Sequence, residues 1–135
     1  MAPDLAAGHP APQRHRVGLV QVAFGLAGAP LAWVGLSLVN YGLASQSCAT
    51  DAAGATWAIL GVADILGLGI SLAALWYAHA AWRRTGTEQA GGQQRTLEIG
   101  EGRTRFLALC GIVTSLGFAI GILFALLPIL LVSTC

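Results

Sequence analysis

A chain of 135 residues that is 56% hydrophobic and 10% charged, with a mean hydropathy of +0.70, has too little polar surface to cover a soluble domain of its size. Its formal net charge of +1 hides a sorted distribution, because its seven basic residues are all arginines placed in only two regions. The arginines between the second and third apolar runs are interspersed with Glu88, Glu98 and Glu101 and have no interleaved aromatics, which excludes a nucleic-acid groove. The expected class is all-α: a three-helix transmembrane bundle, multi-pass, with membrane lipids as its first partner. The absence of lysine beside abundant Ala, Gly, Leu and Arg fits GC-rich coding and a bacterial inner (plasma) membrane.

Residues 1–16 hold three prolines, a glycine and two histidines without apolar periodicity and read as a disordered cytoplasmic tail. The membrane domain, 17–135, contains three apolar runs at about 17–44, 55–82 and 106–132, each longer than the ~20 residues that cross a bilayer. Arg14 and Arg16 precede the first run, and Arg83, Arg84, Arg95, Arg103 and Arg105 lie in or beside the loop 83–105. The segment 45–54 has no basic residue. The positive-inside rule therefore places the N-terminus and the loop 83–105 in the cytoplasm, and the short loop and the C-terminus on the periplasmic or extracellular side. The first run is too long for the apolar region of a cleaved signal peptide, so it is expected to remain as a span.

At roughly 1.5 Å per residue the first span would be about 42 Å long, more than the ~30 Å hydrocarbon layer, so it must tilt, protrude or bend. Pro30 offers a bend, since it cannot donate to the carbonyl of Leu26. Gly28, Gly35 and Gly42 recur every seven residues, with Gly18 and Gly25 offset by three, and predict a helix-packing groove. In the third span, Gly117 and Gly121 form a GxxxG pair, and Gly111 and Ser115 form a further small-x-x-x-small pair. Trp33 falls near mid-membrane, where its indole N–H needs a partner, so it is expected to face protein. Tyr41 and Trp57 at one boundary, and Trp76, Tyr77 and Trp82 at the other, fit an aromatic belt.

Asp64 is the only acidic residue inside a span, deep enough for an ionised carboxylate to be costly. Ser37, Asn40 and Tyr41 lie at comparable depth on the first span, and an antiparallel neighbour can bring one or more of them to Asp64. Two readings stay open for this intramembrane polar cluster: a proton-handling or ion-binding carboxylate, or a hydrogen-bonded Asp that fixes helix packing. Cys48 and Cys135 both fall on the predicted outer face, where an oxidising compartment favours a disulfide between them, whereas Cys110 sits near the inner end of the third span as a packing residue. Two thiols without a nearby histidine make a poor metal site, so no metal is expected. His79 has no second histidine at similar depth on another span, so no haem site, and no other cofactor, is expected within one chain.

No glycine-rich phosphate loop, Gly-x-Ser-x-Gly elbow or His-Glu-x-x-His motif occurs, and no histidine is placed to activate Ser71, Thr114 or Ser115. The reading is therefore not an enzyme and has no catalytic residues. The run Gly28-Ala-Pro-Leu-Ala-Trp33, then Asn40-Tyr41, Cys48, Pro128 and Cys135, resembles small three-span bacterial inner-membrane proteins encoded beside haem-copper terminal oxidases. That resemblance implies a non-catalytic accessory subunit or assembly factor of a respiratory oxidase, docked on a larger membrane complex. It carries no catalytic residues over to this chain. The alternative expectation is a small oligomeric transporter, self-associated around a path lined by Asp64.

Overall fold

The structure, a computed structural model, describes residues 17–47, 53–87 and 102–131. They form three α-helices: α1 (Leu19–Ser47), α2 (Ala53–Arg84) and α3 (Arg103–Leu131). All three are long and apolar enough to cross a membrane, as a multi-pass membrane protein requires. The expected tail 1–16, most of the loop 83–105 and the segment 48–52 lie outside the described residues.

The helices run up, down and up, and each touches the other two. The start of α1 meets the end of α2, where Gln21 bonds to Tyr77 and Arg84, while Gly25 and Trp33 of α1 meet Ser115 and Phe118 of the parallel α3. Most of each helix surface faces outward, and large residues such as Leu38, Leu66, Trp76, Phe124 and Leu131 are exposed. For spanning helices this is the expected arrangement, because lipid tails solvate Leu as well as a protein core does.

Inside the bundle the selection is by size rather than by polarity. Along α2 and into the turn that follows it the buried positions are Leu60, Asp64, Gly67, Ser71, Ala74, Ala78, Ala81 and Thr85, spaced alternately four and three residues apart. That spacing is the seam of a left-handed helix pair. On α3 the buried set is Thr104, Ala108, Gly111, Ser115, Ala119 and Ile122. Small side chains on both seams let the backbones approach, and dispersion plus interhelical hydrogen bonds hold them there.

The three helices meet at one tight junction. A Cβ added at Gly25 would lie 3.1 Å from the Cβ of Ala78 and 3.2 Å from its backbone, and one added at Gly111 would lie 2.9 Å from the Gly25 carbonyl oxygen. Ser115 Oγ donates to that same carbonyl at 3.1 Å, a buried bond joining α3 to α1. Val17, Ala81 and Ala108 pack below the junction, with Val22 and Trp82 closing over them.

The ends are set by local chemistry. Thr85 Oγ1 donates to the Ala81 carbonyl at 3.0 Å, occupying an acceptor in the last turn of α2. Gly102 precedes α3 with φ of 85°, a left-handed conformation that glycine adopts without a Cβ penalty, and its carbonyl accepts from the Phe106 N–H at 2.9 Å.

Candidate functional site: the buried Asn40–Asp64 pair

Asp64 lies on the α2 seam, about 16 Å from the helix start at ~1.5 Å per residue, and is 0% exposed. The 4-3 spacing that buries Leu60 and Gly67 buries Asp64 with them. Across the interface, Asn40 of α1 donates from Nδ2 to Asp64 Oδ1 at 2.9 Å. The other two oxygens of the pair, Asn40 Oδ1 and Asp64 Oδ2, are buried with no hydrogen-bond partner. Ser71 Oγ, two turns further along α2, is also buried and unpartnered. The bond stitches α1 to α2, and the two orphaned oxygens add a polar spot to a mostly apolar interface.

Of the three α1 residues expected near this depth, only Asn40 is bonded to Asp64. Ser37 is exposed and donates to its own helix, to the Trp33 carbonyl at 2.8 Å, and Tyr41 is 80% exposed. The reason is angular. The α1 positions turned inward past Pro30 are Ala32, Leu36, Asn40 and Leu43, and a neighbour one residue along is rotated by about 100°.

The same rotation sorts the expected packing glycines. Gly28 faces α2, where an added Cβ would lie 3.3 Å from the Ala74 Cβ. Gly35 and Gly42 sit one residue off the inward row and have nothing within 4 Å of an added Cβ. Leu36 takes the seam position instead, and its side chain occupies the space that a Cβ on Gly67 would need. On α3, Gly117 is open, whereas Gly121 lies under the Trp33 indole, with Nε1 3.7 Å from an added Cβ. Trp33 packs on Phe118 with ring centroids 5.5 Å apart and keeps 39% of its surface exposed, so it lies over α3 at the bundle's edge.

Cys48 and Cys135 lie outside the described residues, and Cys110, half-buried on α3, is a free thiol. Among the described residues no three His, Cys, Asp or Glu side chains converge to hold a metal ion. His79 stacks on Trp82 with centroids 6.0 Å apart, and the Arg105 guanidinium sits 5.4 Å from the Trp82 ring centre. The sequence reading did not connect Gly25, Ala78, Gly111 and Ser115 as one junction, nor Gln21 with Arg84. The first had a signal in the run of small residues at 4-3 spacing on α2; the second had none, because polar pairing between helix ends leaves no periodicity.

Compared with known proteins, the chain matches no family model, no curated protein and no solved structure.

Proposed function

We propose that this chain is a non-catalytic integral membrane protein that works by helix packing, as an accessory subunit or assembly factor of a larger membrane complex. The observation that carries this reading is a row on α1 that the bundle does not use. Leu31, Gly35, Leu38 and Gly42 follow one another at four, three and four residues, all exposed, with both glycines open. Glycine offers lipid almost no apolar area and costs about 1 kcal/mol in helix propensity measured in water, so its recurrence on an outward row favours close approach by another helix. The resemblance to proteins encoded beside haem-copper oxidases supports a respiratory oxidase as that larger complex. The arginine distribution supports a cytoplasmic N-terminus, an external C-terminus and a bacterial inner membrane as the location.

The test is affinity purification of the tagged protein from its host in mild detergent, with mass spectrometry and a reduced-minus-oxidised haem spectrum on one eluate. Stoichiometric oxidase subunits with a haem signal are the expected result. A homogeneous, haem-free homo-oligomer would replace this reading with the second one, a small oligomeric proton- or ion-handling protein. One observation favours that second reading: Asp64 Oδ2 and Asn40 Oδ1 are buried without partners inside a spanning helix pair.

A further inference from the structure

At the end of the bundle where α1 begins and α2 ends, a groove of about 480 Å³ opens on the side of the bundle, lined by Gly18, Val20, Gln21, Phe24 and Tyr77. Its walls are mostly apolar. Phe24 and Tyr77, both lining it, meet edge to face with centroids 5.5 Å apart, and Gly18 leaves one side open, with nothing within 4 Å of an added Cβ.

The rim is polar and basic. Gln21 spans it: Nε2 donates to the Tyr77 carbonyl at 3.3 Å, and Oε1 accepts from Arg84 Nη1 at 3.3 Å. This holds the Arg84 guanidinium at the mouth, and that planar fork carries five N–H donors, more than one amide oxygen uses. Arg83 and Arg103 stand at the same end, and the segment 83–105 carries five arginines against three glutamates.

We propose that this groove binds one anionic phospholipid, an acyl chain lying along Val20, Phe24 and Tyr77 and the headgroup phosphate held by Arg84 beside Gln21. Charge complementarity selects the occupant. A zwitterionic lipid offers the same phosphate but brings its own cation to an end where arginines outnumber glutamates five to three, and inorganic phosphate would satisfy the guanidinium but leave the wall empty. The site is a junction of helix ends rather than a general basic surface, because Gln21 fixes Arg84 to the groove.

The experiment is native mass spectrometry of the detergent-purified full chain, titrated with phosphatidylglycerol or with phosphatidylcholine of the same acyl chains. Wild-type protein is expected to form a one-to-one phosphatidylglycerol adduct about tenfold tighter than the phosphatidylcholine one, roughly the effect of one charge-assisted contact. Arg84→Gln should erase that preference. Gly18→Leu, which places a side chain into the open groove without changing charge, should weaken the adduct with both lipids. Arg103→Gln makes the same charge change on α3 and should leave the preference in place. Circular dichroism and thermal midpoints of each variant establish that the bundle is intact. Equal binding of the two lipids, equal loss with Arg103→Gln and Arg84→Gln, no effect of Gly18→Leu, or displacement of the lipid by millimolar inorganic phosphate would each overturn the proposal.

Discussion

A buried amide and a buried carboxyl joined by one bond are asymmetric in what each replacement costs. Asn40 Nδ2 is the described hydrogen-bond partner of Asp64, so Asn40→Leu strands both carboxyl oxygens in an apolar interface. We expect a loss of about 1–3 kcal/mol, measured by reversible unfolding in mixed micelles. Asp64→Asn should be neutral or slightly stabilising. Its amide oxygen can accept from Asn40 Nδ2, and its NH₂ can donate to Asn40 Oδ1, which has no partner in the native pair. The two variants also separate the readings of the pair: a packing role predicts normal abundance and partner association for Asp64→Asn, whereas a proton-handling role predicts intact assembly with loss of a proton-coupled activity. Ser115→Ala is the milder case, since Gly25 keeps its place and one interhelical bond is lost. A destabilisation near 0.6 kcal/mol is expected, the average for such bonds between membrane helices.

At the scale of the helix, the decisive property is which residue of each turn is small. Hydropathy exposed the existence and approximate length of all three helices because each is apolar around its whole circumference, and that same uniformity erased the periodicity that would identify the packed face. Glycine spacing was the remaining signal on α1, and it was ambiguous by one residue: the row 28, 35, 42 and the row 29, 36, 43 differ by about 100°. Leu36 over Gly67 settles which row faces α2 beyond Pro30, a large residue fitting a small one across the interface. The Asn40–Asp64 pair was legible only as a matter of depth, since an antiparallel pair fixes height but not rotation.

The packing geometry makes opposite predictions for glycines that look alike in sequence. Gly111→Ala drives a Cβ to 2.9 Å from the Gly25 carbonyl oxygen and 3.1 Å from the Ala78 Cβ, where backbone on one side cannot yield. A cost of about 1–3 kcal/mol is expected from this overpacking. Gly117→Ala meets nothing within 4 Å and should be neutral or stabilising by a few tenths of a kcal/mol through helix propensity. The same unfolding assay on both variants checks the contrast, and equal effects would mean that α1 and α3 do not approach at Gly25.

For the molecule as a whole, the proposed association would use a face that the bundle's own packing leaves free, and this allows stability and association to be broken separately. The bundle's tight contacts use Gly25, Gly28, Gly67 and Gly111, whereas Gly35 and Gly42 are spent on no internal contact. Gly35→Leu with Gly42→Leu should therefore leave the unfolding midpoint within error of wild type while abolishing co-purification of the partner complex, because two isobutyl groups hold an incoming backbone several ångströms away. Retained co-purification would remove this row from the interface, and a collapse of the bundle would mean that the row is internal after all. Orientation decides which part of such a partner the row can reach. With a cytoplasmic N-terminus, a maleimide that cannot cross membranes should label reduced Cys48 and Cys135 in intact cells and leave Cys110 unmodified, since Cys110 lies only about 10 Å into α3 from its arginine-rich start. Under that orientation Gly42 lies in the outer leaflet and Gly35 nearer the bilayer centre, so a helix docked on this row would have to offer its own small residues through the outer half of the membrane. Labelling of Cys48 and Cys135 from the cytoplasmic side alone would invert this, moving the docking row to the inner leaflet and the arginine-rimmed groove to the outside.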